Sequence, residues 1–253
     1  MAHNPPMPIR TITFDWGDTL ASNHGMPYAA TQRRAFVQLA EDLRALGGTI
    51  PPTWLEVVFA ELKSVWMSSV DPKQNPSGAE FDFAGLMASW VAACHVPADQ
   101  AATVIERCFA TLTDTVIPFA ETLPVLTDLK GRGYRIGILS HVPWPGDACR
   151  AWYRRHGLAG LVDFYSLSSE VGFIKPHPAH YQDTLRQADC APHELLHVGD
   201  HPWRDITGGK AFGFRTALRL TEHIYPEEQL ASCGADGEIL RLHEVAALAE
   251  RLS

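Results

Sequence analysis

Long hydrophobic runs are missing from this chain of 253 residues. No segment stays apolar for the roughly 20 residues a bilayer-spanning helix needs. The first residues, Met1 to Ile9, carry prolines and no apolar stretch of signal-peptide length. A membrane partner is therefore not expected. Basic charge is short as well: Lys+Arg 21 stand against Asp+Glu 29, a net charge of -8, so no positive field is available to hold nucleic acid. Cysteine is present but not in useful pairs. Cys94, Cys108, Cys149, Cys190 and Cys233 are an odd set without a CxxC pair or regular spacing, which suggests neither a disulfide framework nor a zinc site and fits a reducing cytoplasm. Internal repeats and low-complexity tracts are absent too. What is there is an ordinary globular composition, 46% hydrophobic and 20% charged, long enough for a core plus an inserted module. A small soluble molecule is the default substrate.

The spacing of apolar residues divides the chain in two. After a short β-prone run ending at Phe14, helical patterning takes over for roughly ninety residues. Ala21 to Met26 is small and polar, and Thr31 to Leu46 carries Ala35, Phe36, Leu39, Ala40 and Leu43 on one helix face before Gly47-Gly48. Thr53 to Met67 follows Pro51-Pro52, with Thr53 and Glu56 in the capping-box arrangement. Asp71 to Gly78 reads as a loop, and Phe83 to Ala93 and Ala98 to Thr113 as two further helices. From about Pro118 helices and strands alternate. Helices are expected at Leu123–Lys130, Asp147–His156, Pro178–Ala188, Ile206–Phe212 and His243–Leu252; strands are expected at Tyr134–Leu139, Val162–Leu167, Leu195–Val198, Thr216–Leu220 and Glu238–Leu240. Such alternation implies a parallel sheet with right-handed crossovers. The expected architecture is α/β: a Rossmann-like core, 1–20 with 118–253, interrupted by an all-helical insert, 21–117.

Five polar side chains fall at or just beyond predicted strand ends: Asp15, Ser140, Lys175, Asp200 and, a turn further on, Asp205. In a parallel sheet these ends lie along one edge, so residues distant in sequence can meet in one crevice. Their chemistry is coherent. A carboxylate can attack phosphorus, a lysine and a hydroxyl can hold phosphoryl oxygens, and further carboxylates can hold a cation. Asp15, Asp200 and Asp205 crowded together would repel one another, and Mg²⁺ suits an all-oxygen site shared with a phosphate.

The series Asp15-Trp16-Gly17-Asp18-Thr19, Ile138-Leu139-Ser140, Gly172-Phe173-Ile174-Lys175-Pro176-His177-Pro178 and Val198-Gly199-Asp200-His201-Pro202-Trp203-Arg204-Asp205 resembles the haloacid dehalogenase superfamily of hydrolases. The resemblance places the helical insert where that superfamily carries its type 1 cap. It implies Asp15 as nucleophile, Ser140 and Lys175 as phosphoryl binders, and Mg²⁺ held by Asp15, Asp200, Asp205 and the main-chain carbonyl of Gly17. The implied activity is a phosphatase acting on a small phosphorylated metabolite.

One position departs from the pattern. Phosphatases of the superfamily usually carry a second aspartate two residues after the nucleophile, as general acid and base; here that residue is Gly17. Such a group contributes about 10² to 10⁴ in rate. Three readings fill the gap: Asp18, His24 or His141 supplies the proton; the enzyme resembles phosphonoacetaldehyde hydrolases and forms a Schiff base on Lys63; or the protein binds phosphoryl groups with little turnover. A metal-free dehalogenase fits less well, because both Asp200 and Asp205 are kept. The blander expectations are that Thr19 bonds the turn of the first motif and that His141, His177 and His201 are structural. Trp54, Trp66, Met67 and Trp90 are expected to pack the insert, with Trp144 and Trp203 shaping the crevice mouth.

Overall fold

The computed structural model describes residues 8–24, 27–221 and 225–253. Most of the Met1 to Ile9 stretch and the end of the Ala21 to Met26 loop lie outside the described residues. The first strand, β1 (Thr11–Phe14), is buried along its whole length, as a central strand covered on both faces must be. A two-residue strand β2 (Ala21–Ser22) leads into four helices: α1 (Tyr28–Ala45), α2 (Trp54–Val70), α3 (Phe83–Ala92) and α4 (Ala98–Leu112). The chain returns through β3 (Ile117–Pro118), antiparallel to β2 with Ala21 opposite Pro118, so the two connections of the helical insert are tied together.

Beyond it come α5 (Thr122–Gly131), β4 (Arg135–Ser140), α6 (Gly146–Arg155), β5 (Phe164–Leu167), the short α7 (Ser168–Val171), α8 (Pro178–Ala188) and β6 (Leu195–Gly199). The chain closes with α9 (Gly208–Ala211), β7 (Arg215–Arg219), α10 (Glu227–Ser232), β8 (Gly237–Ile239) and α11 (Glu244–Leu252). The six longer strands form one parallel sheet in the order β5-β4-β1-β6-β7-β8. From β1 the connections run outward to β4 and β5 on one side, then return to β6 and run outward on the other. The sheet therefore has its switch point beside β1, where open α/β sheets form a ligand crevice. No described helix is long and apolar enough to cross a membrane.

The insert packs by the helical periodicity of its sequence. Thr31, Ala35, Phe36, Leu39, Ala40 and Leu43 form the buried face of α1, which lies against α4. Trp54 donates its indole N–H to the Trp90 carbonyl at 2.8 Å, and the Trp90 indole donates to Glu61, so both buried tryptophans satisfy their polar edge. Asp82 caps α3 by accepting from the Gly85 N–H at 2.8 Å. Thr53 precedes α2, but its side chain makes no capping bond, so the expected capping box does not form.

Two further expectations change. Thr19 does not bond the turn: its buried hydroxyl has no partner, while its carbonyl accepts from Arg219. The helix expected over Ile206–Phe212 begins earlier and differently, as a π-helical turn at Pro202–Thr207 that continues into α9. The strands β2 and β3, and the helices α7 and α10, carry too few residues for a periodic signal.

Candidate active site

Strand register fixes the site. Phe14 is level with Ile138 on one side and Val198 on the other, so Asp15, Ser140 and Asp200, one or two residues further along, emerge at the same sheet edge. Asp15 keeps its backbone in the ladder through its N–H, 2.9 Å from the Val198 carbonyl, which presents its carboxylate directly at the edge. Lys175 arrives from the loop after α7. Its ammonium, only 2% exposed, donates to Asp15 Oδ1 at 2.7 Å, to Asp205 Oδ1 at 2.5 Å and to the Leu139 carbonyl at 2.9 Å. All three of its protons are thus used, which lets an ammonium sit in so dry a place.

Asp205 reaches the edge from the π-helical turn. Its Oδ1 also lies 3.1 Å from His197 Nε2, and its Oδ2 accepts the His201 N–H at 2.9 Å. The opposite ring nitrogen of His197 lies 3.0 Å from the Thr13 hydroxyl, so the position of Asp205 is fixed from inside the sheet. Gly199 permits this approach: a Cβ there would sit 2.3 Å from the Asp205 carboxyl carbon.

The carboxylates of Asp15, Asp200 and Asp205 present oxygens within 4.8 Å of one another. Burial, followed by the charges of Asp205, Asp15 and Asp18, pushes the Asp200 carboxyl well above the usual carboxylate range. Burial acts the same way on Asp205, but Lys175 and His197 overcome it and hold Asp205 well below that range. For Lys175 burial pulls the ammonium down, and the two carboxylates in contact raise it on balance. One ammonium does not balance this cluster. The donor set, all oxygen and short of positive charge, is that of a hard divalent cation, and Mg²⁺ fits it.

A crevice of about 950 Å³ opens over the cluster, and Asp15, Gly17, Asp18, Ser140, Lys175, Asp200 and Asp205 all line it. The structure therefore brings together these seven residues that the sequence proposed for the site. Gly17 has open space around it, with no atom within 4 Å of where a Cβ would stand. His24 lies away from the lining, bonded to the Ile117 carbonyl and edge-on to Phe119. Lys63 is on the crevice wall.

Several wall residues differ from expectation. Trp66 and Met67 are not buried in the insert: Trp66 meets Phe81 edge-on, but the two stay 40% and 56% exposed and line the crevice. His141 is part of the lining, stacked on Trp66 at 5.4 Å and 3.1 Å from Glu80 Oε2. His201 also borders the crevice while capping the π-helical turn. His177 is structural, capping α8 through the Ala179 N–H. Trp144 lines the crevice, whereas Trp203 does not. Sequence reasoning missed His197 and Glu80: the first interrupts an apolar strand, and the second follows a loop that nothing in its own composition ties to the core.

A parallel sheet with its carboxylate at the switch point, a buried lysine, an acidic cluster and a helical insert defines the haloacid dehalogenase class of fold. The family model of haloacid dehalogenase-like hydrolases matches residues 9–213, and the chain belongs to that family of hydrolases. It is 34% identical over 107 residues to a glyceraldehyde 3-phosphate phosphatase of Methanothermobacter thermautotrophicus, covering 42% of this chain and 46% of that one. It is 31% identical over 115 residues to a phosphoserine phosphatase of Thermus thermophilus, covering 45% of each. The matched part thus spans about half the length of these relatives. Among solved structures, a 2-haloacid dehalogenase from Pseudomonas syringae superposes with a TM-score of 0.67 at 23% identity, over 97% of this chain and 100% of that one. A HAD phosphatase from Thermococcus onnurineus gives 0.64 at 20%, over 94% and 97%. These two likenesses concern the fold.

Proposed function

We infer that the protein is a Mg²⁺-dependent phosphatase that cleaves a phosphorylated metabolite through an aspartyl-phosphate on Asp15. The observation that carries this reading is the convergence of Asp15, Asp200 and Asp205 within 4.8 Å, with Lys175 bonded to the first and last. Asp15, Asp200, Asp205 and the Gly17 carbonyl would hold Mg²⁺, which when bound would offset the charge of carboxylates and phosphoryl oxygens.

Lys175 fixes one oxygen of Asp15, leaving the other to form the bond to phosphorus as the bond to the leaving oxygen breaks. Ser140 and Lys175 would hold phosphoryl oxygens in line, Lys175 by turning one of its three N–H groups from a present partner to the substrate. Asp18, beside Gly17 at the crevice, gives its proton to the departing oxygen and then takes one from the water that cleaves the acyl phosphate, which restores Asp15. His141, 3.1 Å from Glu80 Oε2, is the second proton donor in reach of the crevice. The helical insert, 21–117, works as a cap on the core, 1–20 with 118–253, and keeps bulk water out during the first step. The five free thiols suit a reducing cytoplasm as the place of work.

The test is phosphate release from p-nitrophenyl phosphate and a panel of phosphorylated metabolites, with Mg²⁺ and after chelation. Activity should require the metal and vanish in Asp15→Asn; equal turnover by Asp15→Asn would overturn the reading. The wall position of Lys63 supports a second reading, C–P bond hydrolysis through a Schiff base. That chemistry requires a borohydride-trapped adduct on Lys63 with an aldehyde substrate.

A further inference from the structure

The walls of the crevice are of a different character from its floor. The catalytic floor is a patch of carboxylates and one ammonium. Above it the insert and the loop after β4 supply aromatic and aliphatic side chains: Tyr28 from α1, Phe59, Trp66 and Met67 from α2, Phe81 ahead of α3, and Trp144. At about 950 Å³ the space stands at the upper end of pockets that enclose whole organic ligands. A three-carbon phosphate would leave most of it to water, against apolar walls that gain nothing from hydration.

Two features mark these walls as a built surface. Trp66 and Met67 stay 40% and 56% exposed on a helix that buries Trp54, Val58 and Leu62 in its preceding turns. Apolar surface left in water is unfavourable, so the exposure of both is a cost that a covering ligand would recover. The rings are also held in place. His141 lies parallel to Trp66, with 10° between planes, and its Nε2 is 3.1 Å from Glu80 Oε2. Trp144 packs edge-on to Trp16 at 5.3 Å, and its side chain and that of Gln32 bond the Tyr28 hydroxyl. Preorganised flat surfaces of this kind bind flat ligands without paying to order the wall.

We propose that the substrate is a phosphomonoester whose leaving group carries a flat ring system, seated between the Tyr28–Trp144 wall and the Trp66–Met67 face of α2. The proposal rests on the phosphatase reading for its phosphate end and on the walls alone for its ring. Both nucleoside monophosphates and non-nucleotide aryl phosphates have that chemistry.

The experiment has a binding arm and a turnover arm. In the first, 1-naphthylmethylphosphonate and propylphosphonate are titrated into the Mg²⁺-loaded protein by calorimetry. The aryl compound should bind at least tenfold more tightly, and Trp66→Ala should remove most of that difference while Trp66→Phe keeps most of it. In the second, kcat/KM is compared for adenosine monophosphate, 1-naphthyl phosphate, glycerol 3-phosphate and phosphoserine. The ring-bearing substrates should lead by tenfold or more, and their order separates nucleotide from simple aryl recognition. Equal affinity for the two phosphonates, a preference that survives Trp66→Ala, or a lead for the aliphatic phosphates would each overturn the proposal. Tight aryl binding with no phosphate released from any ester would instead overturn the phosphatase reading and leave the ring site standing.

Discussion

Gly17 is where the chain departs from the phosphatase motif that its first stretch resembles, and the structure shows the position open. A Cβ there meets nothing within 4 Å and the backbone is not left-handed, so Gly17→Asp should fold without strain. If the missing carboxylate limits turnover, Gly17→Asp should raise phosphatase kcat by about 10²-fold, measured with p-nitrophenyl phosphate at saturating Mg²⁺. An unchanged kcat would place the proton transfer with Asp18 or His141. Lys175 makes the opposite case. Its ammonium is the cation that Asp15 and Asp205 share, and Lys175→Met would leave two buried carboxylates uncompensated. The expected loss is about 3 kcal/mol in urea unfolding together with loss of activity. At this scale the sequence was informative through combination: Asp15 alone reads as a turn former, and Lys175 and Asp200 further along the chain single it out. It was silent on His197, whose role depends on a partner eight positions away across the strand end.

Among the elements, α8 carries a pH device of its own. His180 lies fully inside, its Nε2–H directed to the Ser166 carbonyl at 3.0 Å. Burial above all, with the nearby charges of Lys175 and His141, drags its pKa down from 6.5 to about 3. Between those values the unfolded chain binds a proton that the folded chain refuses. The stability from His180 is therefore complete above about pH 6.5 and drains away as pH falls toward 3, by at most about 1.4 kcal/mol per pH unit. Urea unfolding at pH 6.5, 5.5 and 4.5 should show a shallower acid decline for His180→Gln than for the wild type. Parallel curves would remove this explanation.

Elements also show what periodicity can and cannot report. The long helices α1 to α4 and the strands β4 to β8 were legible, because each buries a face that repeats at its own period. The same periodicity misplaced Trp66 and Met67. Helical spacing reveals that a helix has an apolar stripe, and on α2 that stripe widens past Leu62 onto the crevice wall. The π-helical turn at Pro202–Thr207 was unreadable, since its register is set by Asp205 reaching Lys175 and His197.

For the molecule as a whole, two backbone pairings among the described residues join the insert to the core, beside side-chain contacts such as Arg155 to Thr113 and Trp152 to the Val116 carbonyl. One is the β2–β3 pair, where the chain enters and leaves. The other joins Gly78–Glu80 to Gly172–Ile174: the Ile174 N–H donates to the Gly78 carbonyl at 2.8 Å and the Glu80 N–H to the Gly172 carbonyl at 2.9 Å. The Glu80 carboxylate, buried, accepts the Ser168 hydroxyl and faces His141. Glu80→Ala should release this second attachment, seen as faster amide exchange over 71–82 with α8 unchanged. It should also lower kcat/KM several-fold, as the roof spends less time closed. Unaltered exchange in 71–82 would show that the backbone bonds suffice alone.

The second attachment ends on Ile174, immediately before the lysine that steadies Asp15. Lifting the roof would therefore tug on the peptide that holds the ammonium in its place among the carboxylates. On the reading that the insert closes as a cap, the nucleophile would keep its lysine contact only with this strap down, and an ill-fitting ester that props it up would meet a blunted attack. Selectivity would then be exercised twice, once by the walls that admit a guest and again by the strap that must close over it before chemistry begins.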